Sequence, residues 1–376
     1  MMRRMQKSND VNPDPAAHGP LGVALVGYGS AARVFHAPLI AGVPGLALRC
    51  VCSTRAAQVH ADWSGVRVVA QPEAVWSDPS IDLVVLATPN ATHYPLALAA
   101  LQAGKHVLVD KPCTVTLAQT EHLLAVAQAQ GRVLTVFQNR RYDSDFLTLQ
   151  QVLARGSLGR VVQVDSHFDR YRPEVPQRWR EQPGPGSGLW FDLGPHLLDQ
   201  ALLLWGEPED MTLDLACVRV GAQVDDWFHA VLRYTHAGAP LRVLLHASTL
   251  VCEPGPRWAV HGTQGSFTQW GLDAQEQALK AGARPLLGAP GEWGQPEQPA
   301  QLVCQQTLPG MAQPVTVRQS LAVPGNYLQF YANLRDAIRH GTEPEVNPAH
   351  VAAVMRWLEY GARNAHCGIA AKGNQG

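Results

Sequence analysis

The chain has 376 residues, 46% hydrophobic and 16% charged, which is more than one core commonly holds and has the apolar content of packed domains rather than of a disordered chain. Thirty basic side chains against thirty-one acidic ones leave a formal charge of -1, so there is no general electrostatic reason to expect a nucleic-acid or anionic-membrane partner. No apolar run reaches the length of a membrane span, and residues 1–20 lack the apolar stretch of a signal peptide; they read as a disordered extension of a cytoplasmic chain.

From Leu21 the sequence LGVALVGYGSAARVFHAPLI is an apolar strand that breaks at glycines and runs into a helix, the context a dinucleotide-binding fingerprint requires. Gly27 permits the tight turn, Gly29 lets a pyrophosphate approach the backbone, and Ser30 and Ala31 open the helix at its positive end. Ala32 stands where a third glycine is usual, and its methyl group is small enough for close packing of helix on strand.

The second strand, residues 46–52, ends in Ser53, Thr54 and Arg55, where an NAD-preferring site places an acid against the ribose. Arg55 flanked by two hydroxyls suits a 2′-phosphate, so the expected cofactor is NADP in preference to NAD. Residues 81–87, IDLVVLA, form the continuous apolar run of a strand buried on both faces, and deliver Thr88, Pro89 and Asn90 to the cofactor edge, with His93 opening the next helix. A further strand over residues 105–109 carries Asp110, Lys111 and Pro112 to the same edge, and residues 133–136 make the last strand of this part. Seven cysteines without an export signal argue for reduced thiols, and no second close Cys or His pair joins Cys50 and Cys52, so no metal site is expected.

Beyond residue 140 the period changes. VVQVDSHF, MTLDLACVRV, WFHAVLRY and LRVLLHAST have the length and alternation of antiparallel strands. Residues 282–314, rich in proline, glycine and glutamine, read as a long irregular excursion. Asn326 is expected to cap an amphipathic helix bearing Tyr327, Phe330, Tyr331, Leu334 and Ile338, closed by Gly341, and Asn347 and Pro348 to open a last helix. The fold class is therefore α/β: a Rossmann-type doubly wound parallel sheet over residues 21–140, then an α+β domain over residues 141–376 with a largely antiparallel open sheet.

Taken together, GYG..ARVFHAPLI, TPN..HYPLALAALQAGKHVLVDKP and GPGSGLWFDLGPHLLDQ make the chain from Leu21 onward resemble the glucose-fructose oxidoreductase, inositol dehydrogenase and MocA family (Gfo/Idh/MocA), nearest its scyllo-inositol dehydrogenase-like branch. The family carries Glu-Lys-Pro where this chain has Asp110-Lys111-Pro112, one methylene shorter at the acid. The resemblance implies an NAD(P)-dependent enzyme that interconverts a secondary hydroxyl and a ketone on a cyclic polyol or sugar. His196 would transfer the proton, Asp192, four residues earlier on the same helical face, would orient it and bind substrate, and Lys111 would stabilise the alkoxide. Arg170, Arg172, Trp179, Arg180 and Asp199 are further candidates to line the substrate pocket. The family's open sheet implies a homodimer or homotetramer. Two other readings stay open: an NAD-dependent glycosidase of the same fold, and a sugar-sensing regulator without chemistry.

Overall fold

Strands β1 (Leu21–Val26), β2 (Leu46–Cys52), β3 (Arg67–Val69), β4 (Leu83–Leu86), β5 (His106–Val109) and β6 (Leu134–Val136) pair in parallel in the order β3-β2-β1-β4-β5-β6. This arrangement comes from a computed structural model that describes residues 19–368 except 290, 292, 308, 309 and 311. The extension expected over residues 1–20 lies, as far as residue 18, outside the described residues. Helices α1 (Ala37–Gly42), α2 (Ala56–Asp62), α3 (Glu73–Trp76), α4 (His93–Gln102) and α5 (Leu117–Ala129) alternate with the strands. All four residues of β4 are buried, as an interior parallel strand covered on both faces requires. The strand order reverses between β1 and β4, so the carboxyl ends of β1, β4 and β5 open a crevice there.

After α6 (Ser144–Ala154) and β7 (Val161–Asp169), the long helix α7 (Leu189–Trp205) crosses to β8 (Asp210–Ala216), β9 (Trp227–His236), β10 (Ala239–Ser248), β11 (Trp258–Gly262) and β12 (Gly265–Gln269). Helix α8 (Ala274–Lys280), strands β13 (Ala300–Gln306) and β14 (Val315–Leu321), helices α9 (Leu328–His340) and α10 (Pro348–Asn364) and strand β15 (His366–Gly368) complete the described chain. The second sheet runs β14-β13-β12-β11-β7-β10-β9-β8-β15, antiparallel except where β7 meets β10 and β8 meets β15. Its strands alternate. Val164 and Phe168 of β7 and Leu245 and Ala247 of β10 are buried on the face that α7 covers, and their neighbours point to the opposite, open face.

Two expectations are corrected. The excursion over residues 282–314 contains β13, whose buried Ala300, Leu302 and Cys304 alternate with Gln301, Val303 and Gln305; the pairing with β12 and β14 builds a strand that the glutamine-rich composition hides. Asn326 does not cap α9. Its Oδ1 is buried without a hydrogen-bond partner, Tyr327 occupies the cap position, and the Tyr327 N–H donates instead to Gln275 Oε1 at 2.7 Å. Gly341, at φ +65°, ends α9 as expected, and Asn347 Oδ1 accepts from the His350 N–H at 2.9 Å ahead of Pro348.

The last two helices return to the first sheet. α9 packs on α1, α10 packs on α5 and α7, and the Thr135 hydroxyl on β6 donates to the Val346 carbonyl at 2.7 Å. Among the described residues, no helix is long and apolar enough to cross a membrane.

Candidate functional site

The glycine corner after β1 has the shape its sequence suggests. Gly27 sits at φ +89°, where a Cβ would stand 2.5 Å from the Ala87 carbonyl oxygen, so only glycine fits. A Cβ on Gly29 would meet nothing within 4 Å, which leaves its backbone bare to a phosphate-bearing ligand. Ala32 is fully buried, so its methyl group is accommodated at the third glycine position. The chain turns helical from Ser30, passing through a π-helical turn, Ala32–His36, before α1.

Gly29 and Ser30 lead into a cleft of about 430 Å³ that also takes in Arg33, Arg55, Asp62, Trp63, Lys280 and Arg284. Arg33 is paired with Asp62 at 2.9 Å, Lys280 with Glu276, and Arg284 lies over the Trp63 ring at 4.2 Å. Among the described residues the Arg55 guanidinium makes no hydrogen bond or ion pair, and its main-chain N–H donates to Ser53 Oγ at 3.0 Å. Thr54 is exposed beside it. The bare backbone and the cation without a partner are groups that could hold the phosphates of a dinucleotide. Arg33, Lys280 and Arg284 join this cleft with no signal in the sequence, since two of them arrive from the α8 region.

At the end of β4, Thr88 Oγ1 accepts from the Thr92 hydroxyl at 2.8 Å, and the Pro89 carbonyl accepts from the Thr92 N–H at 2.9 Å. Asn90 is buried. Its Nδ2 donates to the Gly186 carbonyl at 2.8 Å, tying the crevice edge to the glycine-rich loop before α7, and its Oδ1 has no partner. The His93 ring lies between the Thr88 and Pro112 carbonyls, each 2.9 Å from a ring nitrogen. Burial holds this imidazole below its ordinary pKa, so it donates one N–H and braces the edge rather than facing a ligand with both nitrogens. Asp110 is buried and accepts the Lys111 N–H at 2.9 Å.

Lys111 stands at the meeting of the two sheets. Its Nζ donates to the main-chain carbonyl of Asp192 and to Asp192 Oδ1 at 2.8 Å. Arg180 Nε approaches the same carboxylate oxygen at 3.5 Å. Burial by itself would raise the Asp192 carboxyl, but the Lys111 and Arg180 charges outweigh it and hold it far below the carboxylate range. His196, one turn further along α7, is 6% exposed, and its Nδ1 is buried with no partner. Burial, and after it the Lys111 charge, keep the imidazole neutral by lowering its pKa well below the usual value.

The expected Asp192–His196 contact is corrected. Asp192 makes no hydrogen bond to the imidazole, because its carboxylate turns to the two cations nearest it.

Beside this group, Arg170, Arg172, Arg178, Arg180, Ser248 and Thr249 line a cleft with Asp192. The Arg170 guanidinium makes no hydrogen bond or ion pair among the described residues, and burial lowers its pKa. Trp179 does not line the cleft; it supports Arg180, whose guanidinium lies 4.4 Å from the centre of its ring. Asp199 faces elsewhere: it is buried outside the lining of this cleft, where Arg141 grips both its oxygens at 2.8 and 2.9 Å and His350 of α10 holds one at 2.8 Å. Arg219, buried between Glu181 and Asp226, closes the cleft floor and carries no motif that singles it out.

Residues 21–138 match the family described as "Oxidoreductase family, NAD-binding Rossmann fold", and residues 150–368 match "Oxidoreductase family, C-terminal alpha/beta domain". The chain is 50% identical to the oxidoreductase YdgJ of Escherichia coli K12 over 91% of its own length and 96% of the relative's. It is 36% identical to the scyllo-inositol 2-dehydrogenase (NADP(+)) IolW of Bacillus subtilis, covering 90% of this chain and 91% of that one. The solved structure of YPO2259 from Yersinia pestis superposes with a TM-score of 0.84 at 48% identity, covering 92% and 95% of the two chains.

Proposed function

The chain belongs to the Gfo/Idh/MocA oxidoreductases and carries their NAD-binding Rossmann fold, and from that premise we propose that it interconverts a secondary hydroxyl and a ketone on a cyclic polyol or sugar, with NADP preferred over NAD. One observation carries the reading: a half-buried lysine–aspartate pair and a neutral, unpartnered histidine lie together on the crevice edge that the bare Gly29 corner also faces. The relative IolW bears the name of an NADP-dependent scyllo-inositol dehydrogenase, which supports the substrate class and the cofactor.

Gly29, Ser30 and the first helical turn would hold the pyrophosphate, and Arg55 the 2′-phosphate. When bound, the cofactor supplies a nicotinamide carbon that exchanges hydride with the substrate. His196, neutral through burial, takes the hydroxyl proton in the oxidising direction and returns it in the reducing one. Lys111, fixed by the Asp192 carboxylate and carbonyl, holds its positive charge where negative charge grows on the hydroxyl oxygen. Arg170 and Arg180 offer donors to the neighbouring hydroxyls. The loop before α7 is tied to this edge where Asn90 donates to the Gly186 carbonyl. In the same reading the enzyme acts in the cytoplasm and joins copies of itself through the open face of the second sheet into a dimer or tetramer.

The test follows absorbance of the reduced nicotinamide while NADP or NAD is offered with a panel of inositols and aldoses, comparing wild type with His196→Ala. The expected result is turnover of a polyol or aldose, faster at limiting NADP than NAD and reduced by orders of magnitude in the variant. Cofactor binding without turnover of any such compound would overturn the substrate class, and an undiminished His196→Ala would remove its role.

A further inference from the structure

On the open face of the second sheet three side chains converge: His167 and Asp169 of β7 and His246 of β10. The two strands run parallel, with His246 opposite His167 and Ser248 opposite Asp169. Strand alternation buries Ser166 and Phe168 on the α7 side and turns residues 167, 169 and 246 together to the other. No motif signals this, because α7, β8 and β9 separate the ligands in sequence.

One nitrogen from each ring and one carboxylate oxygen lie within 4.8 Å of one another. His167 Nδ1 is hydrogen-bonded to Asp169 Oδ2 at 3.2 Å, and His246 Nε2 stands 3.4 Å from the other oxygen, Asp169 Oδ1. Ligands around tetrahedral zinc, at bonds of about 2.0–2.1 Å, are roughly 3.3–3.4 Å apart, which is the distance of each ring nitrogen from its nearer carboxylate oxygen. Asp169 Oδ1 is buried without a hydrogen-bond partner although a ring nitrogen faces it. A buried carboxylate oxygen is ordinarily given a partner, and a cation held between Oδ1 and the His246 ring would supply one. Among the described residues no lysine or arginine makes an ion pair with Asp169; its ion-pair contacts are these two histidines.

We propose that His167, Asp169 and His246 form a tetrahedral site for a divalent metal of the zinc type, with its fourth position left beside His167, the most exposed of the three, for a water or a group from a second copy of the chain. This revises the expectation of no metal. Asp169 is followed by Arg170, and Ser248, which pairs with Asp169, lines the same cleft as Arg170, so a metal here clamps the ends of β7 and β10 that form one wall of the substrate cleft.

Untagged, chelator-treated protein is titrated with Zn²⁺ by calorimetry and with Co²⁺ by visible absorption. The expected result is one metal per chain with the intense Co²⁺ bands of tetrahedral coordination, binding at least 100-fold weaker in Asp169→Asn and His246→Gln, and unchanged in the surface control His60→Gln. Absent stoichiometric binding, a weak octahedral Co²⁺ spectrum, or undiminished binding in folded Asp169→Asn would overturn the site. Should either variant fail to fold, Cu²⁺ and ascorbate oxidation of wild type, mapped by mass spectrometry, decides: oxidation centred on His167 and His246 supports the site, and oxidation centred elsewhere overturns it.

Discussion

At the scale of single residues, the site depends on how burial treats charge. Lys111 is 9% exposed and its ammonium would lose protonation to burial, yet the Asp192 carboxylate and carbonyl give it two acceptors. A pair held this way keeps a cation in a poorly hydrated place, where its effect on a growing negative charge is larger than in water. Lys111→Met keeps the chain length and removes the charge. Turnover is expected to fall by roughly 100- to 1,000-fold with the fold intact by circular dichroism. A variant that binds cofactor and turns over at near-normal rate would take Lys111 out of the chemistry. The sequence singles out Lys111 and His196 because each sits in a short motif. The partner of Asp192 was not, since which cation a carboxylate meets depends on elements that are distant in the chain.

At the scale of elements, α7 brings the second half of the site to the first, and its start is fixed by Gly188 and Asp225. Gly188 has φ +91°, and a Cβ there would stand 2.0 Å from Asp225 Oδ1. Asp225 Oδ2 accepts the Trp190 N–H at 2.7 Å and its carbonyl accepts the Leu189 N–H at 2.8 Å, satisfying first-turn donors that the helix itself leaves open. Gly188→Ala is therefore expected to cost about 1–3 kcal/mol in backbone strain before Asp225 is displaced. Because Asp192 lies in the next turn, turnover should fall together with the midpoint of a urea melt. A variant with wild-type melting and rate would show that the helix start tolerates a side chain. The glycine-rich sequence announces a turn, but not that Asp225, some forty residues on, fills the space above it.

At the scale of the whole molecule, the two sheets are joined by buried ion pairs at the crossing point of the chain. Arg140, in the turn after β6, reaches Glu276 of α8 at 2.6 Å, and Arg141 reaches Asp199 of α7. Burial would raise the Glu276 carboxyl, but Arg140 and Lys280 outweigh it and pull it down to about 2. A carboxyl depressed in the folded state adds stability above its unfolded pKa of about 4.3 and loses it as pH falls toward 2. Glu276→Gln should thus be less stable than wild type at pH 7, by on the order of 2–3 kcal/mol, with the gap closing as the acid limb is descended. Urea melts at pH 7, 5 and 3.5 measure it, and a gap that does not change with pH would mean that the pair contributes no charge-dependent stability.

The sequence by itself determined the parallel sheet, since an apolar strand, a glycine turn and a helix follow one another within one stretch of chain and the physics of each is local. It likewise determined the change to alternating strands, the caps at Gly341 and Asn347, and the placing of Thr88 and Lys111 just beyond the ends of β4 and β5. Only the tertiary structure decided which of those residues meet. It turned Asp192 to Lys111 and Arg180 rather than His196, gave Asp199 to Arg141 and His350, made a strand of Ala300–Gln306, and set His246 beside His167. Each of these depends on strand pairing, helix packing or the nearest opposite charge across long separations, which no local pattern of residue types encodes.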